Sequence, residues 1–270
     1  MNKRSPYVER KVVNGLTFKS TGFMAEALEE RGGGTSIFDP VLCELAYRWF
    51  SPPSGTILDS FAGGSVRGIV ASKLGRQYVG IDLRPEQIAA NVEQAEKICT
   101  DPLPVWHVGD STNIDRIAQG VEADLVFSCP PYADLEVYSD NPADLSTMKY
   151  PDFIAAYRAI IAKCVGMMKP DSFACFVVGE VRDKKGNYYG FVPDTISAFV
   201  DAGAAFYNEA ILVTAVGSLP IRAGKQFDSG RKFGKTHQNV LVFLKGDAKK
   251  ATAKVGPVEF GEMEESNAEG

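Results

Sequence analysis

The segment from Asp124 to Tyr132, DLVFSCPPY, joins an apolar stretch of strand character to two prolines and a tyrosine. Each proline fixes its own φ and lacks an N–H donor, and the residue before each proline is pushed toward an extended conformation. We therefore expect a stiff turn whose carbonyl groups have no local partners and lie beside the flat ring of Tyr132. This combination suits the exocyclic amino group of a nucleobase turned out of its stack. Taken alone, the segment is also consistent with a strand that ends in an ordinary Pro-Pro turn.

A second pattern lies upstream, where Thr56 to Gly64 reads TILDSFAGG and Gln77 to Asp82 reads QYVGID. The spacing of the two acids, Asp59 and Asp82, fits one β-turn-helix-β unit, in which a ligand lies at the carboxyl ends of the strands. Glycines let the backbone approach that ligand, and an acid at the end of the second strand can bind ribose hydroxyls. The loop is not G-x-G-x-x-G and no phosphate-binding Lys-Ser/Thr follows. The pattern therefore favours a nucleoside-type cofactor over a dinucleotide or a triphosphate.

Between residues 35 and 245 the chain resembles the amino-directed DNA methyltransferases, which modify adenine N6 or cytosine N4 with S-adenosylmethionine. The resemblance implies a Rossmann-like, mostly parallel seven-stranded sheet that ends in an antiparallel pair, with helices on both faces. It also implies double-stranded DNA as substrate, a base extruded from the duplex, and in some cases a cognate restriction enzyme. The positions that match the family's cofactor loop, ribose-binding acid and adenine-binding acid are Asp59, Phe61, Ala62, Gly63, Asp82 and Asp110. Those that match its catalytic loop are Pro130, Pro131 and Tyr132.

The sequence departs from the family in both loops. Ser60 stands where the cofactor loop has proline, and Gly64-Ser65 swaps the last pair. Cys129, preceded by Ser128, stands where the catalytic loop has Asp, Asn or Ser. Because a thiol is a weak hydrogen-bond acceptor, the Pro130 carbonyl, Ser128 or both must orient the amine, or Cys129 has another role. One such role is attack on C6 of an extruded pyrimidine, which would lead to cytosine C5 modification.

Other functions remain open at this stage. Cys129 could mark a catalytically inactive DNA-binding homologue. RNA or protein methylation is a further alternative, although the Asn-Pro-Pro-Tyr loop of release-factor methylation is absent. The pair Thr35 and Ser36, just before a predicted helix from Asp39 to Phe50, either contacts the methionine end of the cofactor, as the resemblance implies, or caps that helix.

Charge is distributed unevenly along the chain. The net charge of −5 includes five glutamates within residues 255 to 270, and without them 29 acids face 29 bases. The stretch from Arg222 to Lys235 has one acid, Asp228, and five bases that we expect to contact nucleic-acid phosphates: Arg222, Lys225, Arg231, Lys232 and Lys235. Local basic density governs phosphate attraction. A solvated surface hairpin is the alternative for this stretch, and a charged turn is the favoured interpretation of Arg182 to Lys185.

The length of 270 residues supports one α/β domain. We expect an N-terminal lead-in at 1–34, a catalytic domain at 35–245 with loop insertions at 133–150 and 217–235, and an acidic, disordered tail at 246–270. Strands are predicted at 56–59, 77–82, 104–108, 123–128, 173–179, 206–215 and 238–244, and further helices at 65–74, 85–98, 113–118, 152–168 and 193–202. We expect no membrane segment, no metal site with only two histidines, and a reducing cytoplasm for five scattered cysteines.

Overall fold

Seven strands form one mixed sheet in the order β3-β2-β1-β4-β5-β7-β6. The structure is a computed structural model and describes residues 37–132, 141–213 and 219–258, without the side chains of 219–222. The strands are β1 Thr56–Asp59, β2 Gln77–Asp82, β3 Val105–Val108, β4 Ala123–Ser128, β5 Met168–Val178, β6 Ala205–Val213 and β7 His237–Lys245. The first five strands are parallel, and β7 is antiparallel to both β5 and β6. The predicted Rossmann-like sheet with a C-terminal antiparallel pair is confirmed.

Helices cover both faces of this sheet. Their bounds are α1 Pro40–Phe50, α2 Val66–Lys73, α3 Pro85–Ile98, α4 Ile114–Ile117, α5 Tyr150–Met167, α6 Phe191–Asp201, α7 Leu219–Gly230 and α8 Ala248–Val255. Local sequence explains several starts. The Asp39 carboxylate caps α1 by accepting from the backbone N–H of Val41 at 2.8 Å, and Pro40 occupies the first turn. Thr35 and Ser36 lie outside the described residues.

Side chains along the central strands point alternately to the two faces of the sheet. The hydrophobic core therefore has two parts, one on each face. In β5, Ala174, Phe176 and Val178 point to one face, together with buried residues of α5 and α6. Phe173, Cys175 and Val177 point to the other, together with buried residues of α1, α2, α3 and α8. This period of two is what a strand covered on both sides requires. The sheet is thus rigid, and its carboxyl edge is a fixed platform for loops.

Two expectations, one about a connection and one about the tail, are wrong. The stretch 217–235 is not a loop throughout, because α7 occupies 219–230, where Pro220 falls in the first turn and Arg, Lys and Gln favour a helix. The tail is not disordered from 246, because α8 packs Ala251 and Val255 into the core. In the predicted insertion at 133–150, residues 133–140 lie outside the described part, and 141–149 forms a loop with one short helix. There Leu145 and Ser146 are buried in a short 3₁₀ helix that Asp144 caps.

None of the helices within the described ranges is long and apolar enough to span a bilayer.

Candidate active site

The predicted site residues lie at the carboxyl edge of the sheet. Asp59 ends β1, Asp82 ends β2, and Asp110 follows β3. Ser128 ends β4, directly before Cys129 and the two prolines. Because β1 pairs with both β2 and β4, the predicted cofactor loop and the predicted catalytic loop leave the sheet side by side. The structure therefore brings the two motifs together.

Asp59 is fully buried and is the centre of a hydrogen-bond network. Its Oδ1 accepts from the Ser128 hydroxyl at 2.6 Å and from the Phe61 backbone N–H at 3.1 Å. Its Oδ2 accepts from Arg67 Nε at 2.5 Å and from the Tyr78 hydroxyl at 2.8 Å. A carboxylate offers about four acceptor positions, and four donors already use them. The expectation that the Asp59 side chain contacts the cofactor is therefore corrected, because Asp59 instead holds the loop in place.

Arg67, in the first turn of α2, forms the main ion pair of this network. Its guanidinium also donates to the Ala62 carbonyl at 3.0 Å and to the Phe61 carbonyl. Burial lowers the pKa of Arg67, but the Asp59 carboxylate, together with Tyr78, Cys129 and Cys43, outweighs burial and raises it above its ordinary value. Arg67 therefore stays charged and donates hydrogen bonds to three groups of the loop, the Asp59 carboxylate and the carbonyls of Phe61 and Ala62.

Tyr78 completes the network from β2. Burial, followed by the negative charge of Asp59, holds the pKa of the Tyr78 phenol well above its usual range. The hydroxyl therefore remains protonated and donates to Asp59. Its ring packs edge-on against Trp106 with centroids 5.7 Å apart, so the tyrosine also ties β2 to β3.

Asp82 shapes the glycine turn and remains partly accessible. One carboxylate oxygen accepts from the Gly63 N–H and the other from the Arg84 N–H, each at 2.9 Å. The Asp82 side chain is 14% exposed, so it keeps a surface for a hydroxyl donor. Gly63 adopts a φ of +50°, a region that favours glycine, and a Cβ added at Gly64 would meet no atom within 4 Å. The turn thus leaves room for a ligand beside the acid.

The predicted cofactor loop packs closely against β2. The Ala62 N–H donates to the Ile81 carbonyl at 2.9 Å. A Cβ at Gly80 would lie 2.9 Å from the Ala62 Cβ and 2.7 Å from the Tyr78 ring, so only glycine fits there. On the other side of the turn, the buried Asn91 of α3 donates its amide to the Gly63 carbonyl at 2.7 Å.

Asp110 lies next to Asp82. The Gly109 N–H donates to the Asp82 carbonyl at 2.9 Å, which joins the ends of β3 and β2. One oxygen of the Asp110 side chain accepts from the Thr112 N–H at 2.8 Å. The side chain is partly exposed, so its second oxygen is compatible with the predicted contact to a cofactor ring. The predicted role of Asp110 stays a prediction.

Ser128 is fully buried, and its hydroxyl is used on both sides. It donates to Asp59 and accepts from the Phe61 N–H at 3.1 Å. These contacts show that the Ser128 hydroxyl holds the two loops together. The alternative in which Ser128 also helps to orient a substrate amine stays a prediction. The other predicted acceptor for a substrate amine is the backbone of the Pro-Pro turn. Among the described residues, no hydrogen bond reaches the Pro130 carbonyl.

Cys129 and Tyr132 lie close to each other. The Cys129 sulfur is 3.9 Å from the Tyr132 hydroxyl, which also accepts from the Gln238 amide of β7. The Tyr132 ring packs edge-on against Phe191 and lies beside Gly179. Burial raises the pKa of the Cys129 thiol, while the Arg67 charge and the Tyr132 hydroxyl lower it by less. Cys129 is therefore mainly a neutral thiol near pH 7.

The predicted phosphate contacts lie on and after α7. Lys225 and Arg231 are exposed, and Lys235 donates to the Asn239 amide oxygen at 3.1 Å. Lys232 lies against the turn at Gly186, since a Cβ added there would overlap its ammonium nitrogen. Arg222 belongs to α7, whose described side chains begin at Ala223. Of the four described bases, Lys232 thus connects the segment after α7 to the turn that follows Arg182 to Lys185.

Sequence reasoning missed the residues that hold these loops in place, namely Arg67, Tyr78, Asn91 and Gln238. Their roles depend on contacts across 8 to 106 positions of sequence. A signal existed for one of them. Arg67 is a charged residue in the first turn of a helix that otherwise presents small and apolar residues to the sheet.

Comparisons with known proteins support the fold. The sequence matches no protein-family profile and no curated protein. Among solved structures, TrmN from Thermus thermophilus has a TM-score of 0.51 at 14% identity over 77% of this chain. The match covers 49% of TrmN, so the chain spans about half of that protein's length.

Two further similar structures are matched over most of their own length. Magnesium protoporphyrin IX methyltransferase (ChlM) from Synechocystis, with S-adenosylmethionine bound, matches with a TM-score of 0.50 at 13% identity, over 84% of this chain and 92% of that one. The cyclopropane synthase MmaA2 from Mycobacterium tuberculosis matches with a TM-score of 0.52 at 11% identity, over 76% and 83%. The chain therefore has the Rossmann-like fold of S-adenosylmethionine-dependent methyltransferases.

Proposed function

We propose that this protein is an S-adenosylmethionine-dependent methyltransferase that modifies the exocyclic amino group of a DNA base, adenine N6 or cytosine N4. The observation that carries the proposal is the 2.6 Å hydrogen bond from Ser128 to Asp59. It fixes the Pro-Pro-Tyr turn directly beside the glycine turn. A methyl acceptor held by the first turn and a nucleoside-type cofactor held by the second would then meet at one edge of the sheet.

The residues at the glycine turn fit S-adenosylmethionine. Asp82 offers a partly exposed carboxylate to the ribose hydroxyls, and the space over Gly64 admits a ligand. Asp110 lies next to Asp82 for the adenine ring. When bound, the cofactor supplies an electrophilic methyl group on a sulfonium. Amine methylation needs no strong base, because the proton can leave after transfer.

The Pro-Pro turn would orient the exocyclic amine of the substrate base. The lone pair of an exocyclic amine is delocalised into the base, so the amine is a poor nucleophile. A hydrogen bond from the amine to the Pro130 carbonyl would favour a pyramidal nitrogen and direct its lone pair toward the methyl group. The Tyr132 ring, held by Gln238 and Phe191, would stack on the base. Catalysis is then mainly positioning.

The basic surface at α7 and at the turn of residues 182–188 favours a nucleic acid over a small molecule or a protein. Residues 182–188 and 223–235 together hold seven bases and two acids. Phosphate neutralisation supplies most of non-specific binding to nucleic acids. Duplex DNA is the substrate that the amino-directed resemblance implies.

Methylation at cytosine C5 is the alternative that the structure disfavours. That reaction needs a Cys129 thiolate, and the raised pKa of Cys129 opposes its formation near pH 7.

A transfer assay tests the proposed substrate class. Purified protein is incubated with methyl-labelled S-adenosylmethionine and, separately, with duplex DNA, with RNA and with a protein extract. We expect label in DNA, and label only in RNA or protein would contradict the proposal. A Tyr132→Ala variant should lose the signal while it still binds cofactor by calorimetry, which separates substrate from cofactor effects.

A further inference from the structure

Two exposed phenylalanines form a pair at the end of α7. Phe227 is 40% exposed and Phe233 is 80% exposed, and their ring centroids are 5.9 Å apart. The guanidinium of Arg231 lies 5.0 Å from the Phe227 ring centroid, in cation–π geometry. Arg231 has a φ of +52°, which turns the chain after the helix so that Phe233 comes back beside Phe227. An aromatic ring exposed to this degree has no role in packing the core.

A second cation–aromatic pair lies on the neighbouring turn. The Arg182 guanidinium is 3.7 Å from the ring centroid of Tyr188, which is 48% exposed. Arg182 also donates to the Gly186 carbonyl at 2.7 Å, which closes the turn. The Lys232 ammonium lies against Gly186 and joins this turn to the segment after α7. The result is one continuous surface, here called the aromatic–basic surface, on which rings and positive charges are interspersed.

The aromatic–basic surface adjoins the predicted substrate site. Phe233 precedes Gln238 by five residues, so their Cα atoms are at most about 18 Å apart. Gln238 bonds the Tyr132 hydroxyl of the Pro-Pro-Tyr turn. The start of β7 also pairs with the carboxyl end of β5, through Asn239 and Val178. A strand whose target base reaches Tyr132 would therefore pass this surface within a few nucleotides.

We propose that the aromatic–basic surface binds unpaired nucleotides flanking the target base, by stacking bases on Phe233, Phe227 and Tyr188 and by neutralising phosphates with the surrounding lysines and arginines. This inference rests on the proposed function in that a nucleic acid is the substrate, and it adds a single-stranded element to it. Stacking tolerates any base, because every base has a π face. A duplex alone would not explain the aromatic rings, since its backbone presents charge and its bases are already stacked.

The test uses a short fluorescein-labelled oligothymidylate and a labelled duplex of equal length, with affinity measured by anisotropy across a salt series. Phe233→Ala should weaken binding of the single strand by about 5- to 150-fold, the equivalent of roughly 1–3 kcal/mol per stacked base. Its salt dependence should not change, because every ion pair with phosphate is kept. Lys232→Gln should instead reduce the salt slope by about 0.7 for one single-strand phosphate. Phe233→Trp should restore affinity.

A matched control is Tyr207→Ala, which removes another aromatic residue of 48% exposure near the start of β6, at the far end of the β6–β7 pair from Gln238. It should leave single-strand affinity unchanged. The inference is wrong if Phe233→Ala stays within twofold of the wild type, if Tyr207→Ala loses as much affinity, or if the wild type binds the duplex but not the single strand. In the last case methyl transfer to duplex DNA would persist, so the proposed function would survive. If no nucleic acid binds or is methylated, the proposed function itself fails.

Discussion

The Ser128 hydroxyl donates to the buried Asp59 carboxylate at 2.6 Å, and this contact joins the ends of β4 and β1 at the point where the two predicted functional loops begin. The same carboxylate pairs with Arg67, which holds the loop carbonyls of Phe61 and Ala62. The cofactor turn and the Pro-Pro turn are thus parts of one network. A change at its centre should affect stability and cofactor binding together.

Asp59→Asn should destabilise the fold strongly. The amide would leave the Arg67 charge buried without its counter-ion, and breaking a buried ion pair costs about 3–5 kcal/mol. Denaturant unfolding measures the change. Asp115→Asn, which breaks the exposed contact with Lys163, is the control and should have little effect. Equal stability of the two variants would remove Asp59 from the centre of the network.

Ser128→Ala should have a milder effect. The Phe61 N–H keeps Asp59 as its acceptor, so the loss is one hydrogen bond to a carboxylate, about 1.5–3 kcal/mol. Methyl transfer should remain detectable under conditions where the variant is folded, because the buried hydroxyl is already bonded to Asp59 and to the Phe61 N–H. A folded Ser128→Ala protein that binds cofactor and DNA normally but transfers no methyl group would place Ser128 among the catalytic residues.

Asp82→Ala should weaken S-adenosylmethionine binding by about 1.5–3 kcal/mol, the range for a hydrogen bond to a charged group. The substitution also frees the Gly63 and Arg84 N–H groups, so part of the loss reflects a looser turn. Asp82→Asn separates the two contributions in part, since its single amide oxygen can still accept from one of the two N–H groups while its NH2 group would face the other. Titration calorimetry measures both variants, and unchanged affinity in both would place the cofactor elsewhere.

Cys129→Ser should keep substantial methyl transfer, because a hydroxyl accepts hydrogen bonds at least as well as a thiol. A pKa above the usual thiol range also predicts slow alkylation of Cys129 near pH 7 and faster alkylation as the pH rises. A duplex that contains 5-fluorocytosine provides the opposing test. Covalent trapping of the wild type that disappears in Cys129→Ser would establish cytosine C5 chemistry and overturn the amino-directed proposal.

Replacing Lys225, Lys232 and Lys235 with Gln should weaken duplex DNA binding and flatten its dependence on salt, by a slope of about 0.9 for each phosphate that the variant no longer neutralises. Lys73→Gln, Lys97→Gln and Lys249→Gln combined provide a control of equal charge on other elements. If both triple variants change the salt slope equally, net charge rather than this surface governs binding.

Patterns along the sequence predicted the sheet well because local signals were strong. β1, β2 and β4 have the predicted bounds, since each is a short apolar run ending in a polar residue. The signal was weak for α7, where Gly224, the terminal Gly230 and Pro220 resemble a loop. It was also weak for α8, where only Ala251 and Val255 are buried among lysines and alanines.

The sequence predicted which residues lie at the site but not what each of them does there. Asp59 and Ser128 were identified as functional, yet both are buried. Their burial depends on Arg67 and Tyr78, which reach them only in the folded sheet. Sequence motifs therefore located the loops, whereas the division between residues that hold a loop and residues that face a ligand required the tertiary contacts.

Mass spectrometry of nucleosides is the most direct test of amino methylation of a DNA base by this protein. DNA lacking modified bases is treated with the protein and S-adenosylmethionine, digested to nucleosides and compared with DNA treated with Tyr132→Ala. We expect N6-methyladenine or N4-methylcytosine with the wild type and neither with the variant. Appearance of 5-methylcytosine, or an unmodified nucleoside profile from protein that binds both cofactor and DNA, would contradict it.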